Sequence, residues 1–293
     1  MRYTIYYIIF LCLLCSSCRE LVQDEFPDFE NTVTVNTLIG AGDTVKVYLA
    51  YTDELNGNPL EIIENAVISM SNQNLESIIF THQGKGLYVS NFVAQVSDTF
   101  NLSVIVPGED VVTSSCVVPE PIEIIDADLD PYGCVNDEGV AIPLAYVKIR
   151  NNFDNAFYGV VYFKSYVKEP RISEDLNNPG SYTVDTVYVL NSDYKAIGTI
   201  DNINELGEFL EKEIEVFKLF DSNRIISVAF QVKLRTVDYN YYSYINSIGA
   251  YEASRYPNFS SSYIVPSNLF SNIENGYGIM GAFSEFETDT IFK

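Results

Sequence analysis

The sequence predicts a mainly β protein of two β-sandwich-like domains, the first immunoglobulin-like and the second carrying one or two short helices. Three observations predict it. Between Thr32 and Val118, short runs alternate apolar with polar residues, the period of two that half-buried strands produce. Gly- and Asn-bearing turns such as Gly40-Ala41-Gly42 and Gln83-Gly84-Lys85-Gly86 separate those runs, as antiparallel hairpins require. Apolar residues at helical spacing occur in two stretches, both beyond residue 200.

The chain opens with Arg2 and an apolar run from Ile5 to Leu14, with no acid before Glu20. A basic start, a short apolar core and small residues after it make a secretory signal. The apolar run is half the length of the ~20 residues that a spanning helix needs. The expected signal peptide is residues 1–17, cut before Cys18. Ser16 and Ser17 precede Cys18 and resemble the bacterial lipobox, whose cysteine becomes the lipid-bearing first residue of the mature protein. Cys15 stands where that pattern usually has Leu. Cys18 is therefore the expected lipidation site. Residues 18–31 carry Glu20, Asp24, Glu25, Asp28 and Glu30 and read as an acidic tether.

Residues 32–119 are the expected N-terminal sandwich. Val45, Val47 and Leu49 share one face, and Thr32 to Leu38 pairs with that strand across the Gly40 turn. Ala66 to Ser71, Ser77 to His82 and Leu87 to Ser90 follow. Phe100, Leu102, Val104 and Val106 point one way against Thr99, Asn101 and Ser103, and Val111 to Val118 closes the unit. Pro119 and Pro121 cannot donate to a sheet ladder and mark the boundary. Residues 120–293 form the second, β-rich domain, with strands expected at Ala145 to Ile149, Ala156 to Tyr166, Thr183 to Leu190 and Ile225 to Thr236. Ile203, Leu206, Phe209 and Leu210 make a short helical stripe. A longer one runs from Asp238 to Ala253, with Asp238 as its N-cap. On that helix Tyr241, Tyr244 and Ile248 face the core, and Tyr239 and Tyr242 face outward.

Forty acidic residues against 17 basic ones give a net charge of −23. Such a chain repels nucleic acid, which is excluded as a partner. His82 is the single histidine, at a hairpin end, so zinc sites built on several histidines are excluded by count. Cys116 and Cys134 are the thiols left after Cys12 and Cys15 depart and Cys18 takes a lipid. In an oxidising compartment they are candidates for a disulfide, two buried free thiols being the alternative. Asp126, Asp128 and Asp130 have the spacing that begins a calcium loop. Pro131 and Asp137 occupy the places where an EF-hand needs Gly and Glu, which excludes an EF-hand. A looser calcium cage on those three aspartates and a solvated acidic loop remain as readings. No other cofactor is indicated.

The segment from Ser271 to Ser284, SNIENGYGIMGAFS, is similar to the C-terminal signature of the DUF4249 family of Bacteroidota lipoproteins. Tyr256 to Ser260, the stretch Val232 to Ser247, and the segments Asn65 to Ile68 and Gly86 to Val89 resemble further parts of that family. The signature residues are Asn272, Glu274, Asn275, Gly276, Gly278 and Gly281. Their glycines suit a turn and bulge that fold the final strand back onto the second domain's sheet. The resemblance implies a lipoprotein of the outer membrane, lipid-anchored, acting as an accessory to a TonB-dependent receptor; the family's function is unassigned. The expected function is a non-enzymatic binding or accessory lipoprotein. A structural or adhesive surface protein is the alternative. A β-sandwich hydrolase comes last, because no pair of carboxylates and no nucleophile is singled out.

Overall fold

In the computed structural model the described residues are 31–52, 60–135, 139, 141–151, 156–174, 178, 180–203, 207–216, 228–255 and 267–292. The expected signal peptide, Cys18 and the expected tether through residue 30 lie outside them. The protein is mainly β. Its strands are β1 (Val33–Gly40), β2 (Thr44–Tyr51), β3 (Val67–Ser71), β4 (Ser77–Ile78), β5 (Phe80–His82), β6 (Leu87–Val93), β7 (Thr99–Ile105) and β8 (Val112–Val117). They continue as β9 (Ile124–Val135), β10 (Ala141–Arg150), β11 (Tyr158–Glu174), β12 (Tyr182–Asp201), β13 (Phe209–Glu215) and β14 (Val228–Val237). One helix, α1 (Tyr239–Arg255), precedes β15 (Tyr277–Glu287) and β16 (Ile291–Phe292).

Alternation decides which face each strand buries. On β1 and β2, Val33, Val35, Val45, Val47 and Leu49 point inward and leave Asn36, Leu38, Lys46 and Tyr48 on the outer face. These strands belong to a long sheet of order β12-β11-β14-β15-β1-β2-β6-β5, with β16 beside β14. Two smaller sheets, β4-β3-β7-β8 and β13-β10-β9, supply the opposing layers. The first core joins Val35, Val47 and Leu49 to Met70, Phe100 and Val104. The second joins Val161, Phe163, Phe230 and Leu234 to Leu129, Ala145, Ile149 and Leu210, with the Phe163 and Phe230 rings stacked at 5.2 Å. Each of the larger side chains among these, taken fully out of water, contributes about 1.5–3 kcal/mol.

Strand β15 is the seam between the two cores. Met280 and Ala282 enter the first core, and Phe286 packs against the second. On one edge β15 runs antiparallel to β14, from Lys233↔Glu287 to Val237↔Phe283. On the other it runs parallel to β1, from Thr34↔Tyr277 to Gly40↔Phe283. The final strand therefore joins β1 as well as the second half's sheet, and one sheet spans strands from both sides of Pro119.

Two local expectations are corrected. Asp126 to Asp130, read as a loop, lie in β9, where Ala127 and Leu129 face the core and the aspartates face solvent. Of the stripe read as a short helix, positions 204–206 lie outside the described residues, and Phe209 and Leu210 open β13. There the second core takes Leu210 from an alternating strand face, which tertiary packing favours over local helical spacing. Helix α1 stands where its apolar stripe and N-cap place it. The Tyr241 N–H donates to Asp238 Oδ1 at 2.9 Å, and the Tyr242 N–H donates to the Asp238 carbonyl at 3.1 Å. Tyr241, Tyr242 and Ile245 pack the helix onto Tyr158, Val160, Val237 and Phe283, on the sheet face opposite the second core.

Candidate functional site

Helix α1 crosses the outer face of the long sheet and divides it. On one side of it, β11, β12, β14 and β15 display Lys164, Tyr162, Tyr194, Lys233, Arg235 and Glu285. The Arg235 guanidinium donates to Glu285 and to the hydroxyls of Tyr162 and Tyr241, at 3.3 and 3.2 Å. It also lies 4.0 Å from the centre of the Phe283 ring. Lys233 sits 3.1 Å from Glu285 and 4.3 Å from the centre of the Tyr194 ring, which Lys164 approaches at 5.1 Å. Burial works to raise the Glu285 carboxyl, but Arg235 and Lys233 outweigh it and hold it below the usual range. Burial, with Tyr241 alongside, pushes the Tyr162 phenol up to about 12. Glu285 answers Lys233 and Arg235 within the face, and Lys164 lies over the Tyr166 and Tyr194 rings, so the cluster braces the sheet under α1.

On the other side of α1 lies a groove of about 380 Å³. Asn36, Thr37 and Leu38 of β1, Lys46 and Tyr48 of β2, Leu87 of β6, Tyr244 of α1 and Ile279 of β15 line it. Its walls are chiefly apolar and aromatic. The polar groups are the Asn36 amide, the Lys46 ammonium, two phenols and the Thr37 hydroxyl, which donates to the Lys46 carbonyl at 2.6 Å, and no carboxylate lines it. Such a surface can hold a flat or aliphatic body and orient it through one cationic or hydrogen-bonding end. Tyr244, expected in the core, is a groove residue. Tyr241 is buried as expected, and Tyr239 is exposed. Tyr242, expected outward, is half-buried and donates its hydroxyl to Asp201.

The signature residues occupy the seam. The Asn272 side chain copies a strand neighbour: its Oδ1 accepts the Met280 N–H at 2.9 Å and its Nδ2 donates to the Met280 carbonyl at 2.8 Å. Glu274 exchanges backbone bonds with Thr113 and accepts the Thr113 hydroxyl at 2.8 Å. Asn275, at φ 57°, donates to the Val111 carbonyl at 3.0 Å. A Cβ on Gly276 would stand 2.7 Å from the Val33 carbonyl oxygen, and one on Gly281 would stand 2.8 Å from Tyr241 Cβ. Gly278, at φ 112°, lies directly against the Val35 carbonyl. The motif therefore ties β8, β15 and β1 together. Ile279 is its one contribution to the groove lining.

Asp126, Asp128 and Asp130 are strung along the exposed face of β9, where alternate residues stand about 7 Å apart. The structure does not converge them on one point. Among the described residues, no group of three His, Cys, Asp or Glu side chains could hold a metal ion. Cys116 and Cys134 are both free, so the expected disulfide is not formed. Cys116 lies on β8 in the first core. Cys134 lies on β9 in another sheet, its thiol 3.7 Å from the Ile142 carbonyl. Burial pushes the Cys116 thiol well up, and burial followed by Glu215 raises Cys134. In the native protein a maleimide is expected to label Cys134 slowly and to leave Cys116 untouched. Mass spectrometry after unreduced denaturation should then find both labelled, whereas no reactive thiol after denaturation would restore the bridge.

Sequence reasoning missed the groove residues Leu38, Lys46, Tyr48 and Leu87. The signal was present in the alternation that marked Val45, Val47 and Leu49 as inward, since Lys46 and Tyr48 are the complementary set. Fold and site together define a two-core β protein with an aromatic groove on the open face of its long sheet. The chain belongs to the family described as domain of unknown function DUF4249, whose model matches residues 19–289. None of the curated proteins matches the chain.

Proposed function

We propose that this protein is a non-enzymatic binding or accessory lipoprotein, anchored to the outer membrane through Cys18, that holds a ligand in the groove beside α1. The observation that carries the reading is the groove's chemistry. In a chain of net charge −23, its lining contains one cation, Lys46, and no acid. That favours a ligand with an apolar or aromatic body and an anionic or polar end. The signal-like start and Ser16-Ser17-Cys18 support the anchor. No helix among the described residues is long and apolar enough to cross a membrane. A TonB-dependent receptor is the partner implied by the family resemblance.

An anionic aromatic dye, anilinonaphthalene sulfonate, tests the groove. Wild type should enhance its fluorescence saturably, and Tyr48→Ala and Lys46→Glu should each weaken binding about tenfold, the loss of roughly 1.4 kcal/mol. Equal binding by wild type and both variants would remove the groove from the reading. The anchor is tested by Cys18→Ser, which should move the protein out of the membrane fraction. A variant that still pellets with outer membrane after a salt wash is held by something else. The structural or adhesive reading is favoured by a different observation, the exposed apolar face on the β11–β12 ribbon.

A further inference from the structure

We propose that the outer edge of β12 is a dimerisation edge, to which a second copy of this chain adds its own β12, antiparallel about Val187. Strand β12 ends the long sheet and pairs with β11 along its length, from Glu174↔Tyr182 to Tyr158↔Asp201. Strand β14 follows β11 only as far as Val167↔Val228. Beyond that point β11 and β12 continue as a ribbon with no third strand among the described residues. A two-stranded ribbon alone is marginally stable in water.

One face of the ribbon is apolar. Ile172 pairs with Val184, and Tyr182, Val184, Tyr188 and Leu190 alternate along β12. These five side chains are between 40% and 68% exposed. Phe292, 61% exposed, meets Tyr188 at 4.9 Å and widens the patch. Exposed edges are usually protected by shortness, lysine, proline or a bulge. From Tyr182 to Leu190 this edge has no Lys, Arg, Pro or Gly, its ladder to β11 runs without a bulge, and Asp185 is its one charge.

The edge is also complementary to itself. With a two-fold axis at Val187, Val187 meets its own counterpart and Val184 lies opposite Leu190 of the second copy. Asp185 falls opposite Val189, so no like charges meet. The contact is isologous and closes after two copies. The edge carries no run of acids that would select a basic strand instead. At longer range two chains of charge −23 repel, so salt tightens a dimer of this kind, whereas it would loosen a complex with a basic partner.

Sedimentation velocity of the purified full chain in detergent tests this. The expected result is a monomer–dimer equilibrium that shifts toward dimer as sodium chloride rises. Val187→Lys sets two ammonium groups against each other on the axis. Within its own ribbon the new ammonium faces Glu169, so the fold tolerates it. The dimer should weaken about tenfold or more with the melting temperature of the monomer preserved. Wild type that stays monomeric at every concentration, a dimer that salt loosens, or a Val187→Lys dimer as tight as wild type would each overturn the proposal.

Discussion

Gly278→Val is expected to destroy the seam between the two cores and to lower the melting temperature further than any other single substitution described for this chain. Gly278 holds φ at 112°, where a branched L-residue costs about 1–3 kcal/mol. Its would-be Cβ also drives into the carbonyl oxygen of Val35, the residue paired with it across the parallel β1–β15 ladder. Backbone cannot rotate away as a side chain can, so the ladder must open. Strain and lost pairing together make a loss of roughly 4 kcal/mol or more, at the diagnostic end of single-residue effects. For a domain of this size that is on the order of 10 °C. Gly249→Ala is the control. It lies in α1 with nothing within 4 Å of its would-be Cβ, and should gain about 0.5–1 kcal/mol from helix propensity. Thermal melts of both variants beside wild type decide the matter. A Gly278→Val protein that melts like wild type would show that β15 does not lean on β1 as described.

The second large effect depends on pH. Asp238 caps α1 through Oδ1, while its Oδ2 is buried without a hydrogen-bond partner. Burial pushes its carboxyl from 3.8 up to about 7, against the opposing pull of the Tyr241, Ala282 and Val117 amides. Because the folded value is the higher one, the folded state binds a proton that the unfolded chain has released between those two values. The stability this contributes is complete below 3.8 and is lost as the pH rises through about 7. Asp238→Asn supplies a neutral cap of the same shape at every pH. The variant should match wild type near pH 4 and exceed it at pH 8 by about 2 kcal/mol, well inside the limit that one unit per 1.4 kcal/mol sets. The measurement is the difference in melting temperature between the two proteins from pH 4 to pH 9. The difference should open as the pH rises past about 3.8 and level off above about 7, and a flat difference would refute the buried cap.

Much of the local structure was legible in the sequence because its causes are local. The outward set Lys46 and Tyr48 follows from the inward set Val45, Val47 and Leu49. Asp238 announces α1 because a short carboxylate before an apolar helical stripe satisfies an otherwise orphaned N–H. The site was less legible, since the groove joins β1, β2, β6, α1 and β15, and each contributes one or two ordinary residues. The cysteines show the same limit. The count expected after signal removal and lipidation pairs Cys116 with Cys134, yet they lie in different sheets, and nothing in their sequence separation says so.

What the sequence by itself determined is the strand character of the first half, the polarity of those strand faces, the helix capped by Asp238 and the family signature, while the stretches that became β9 and the start of β13 read as a loop and a helix. Tertiary structure alone decided the partners. Alternation says which side of a strand is dry, but the backbone N–H and C=O groups on its edges are the same in every strand and name no neighbour. In the assembled fold β15 lies parallel to β1, a strand far from it in the sequence. That pairing explains Gly278 where spacing could not, because the residue it must make room for is Val35.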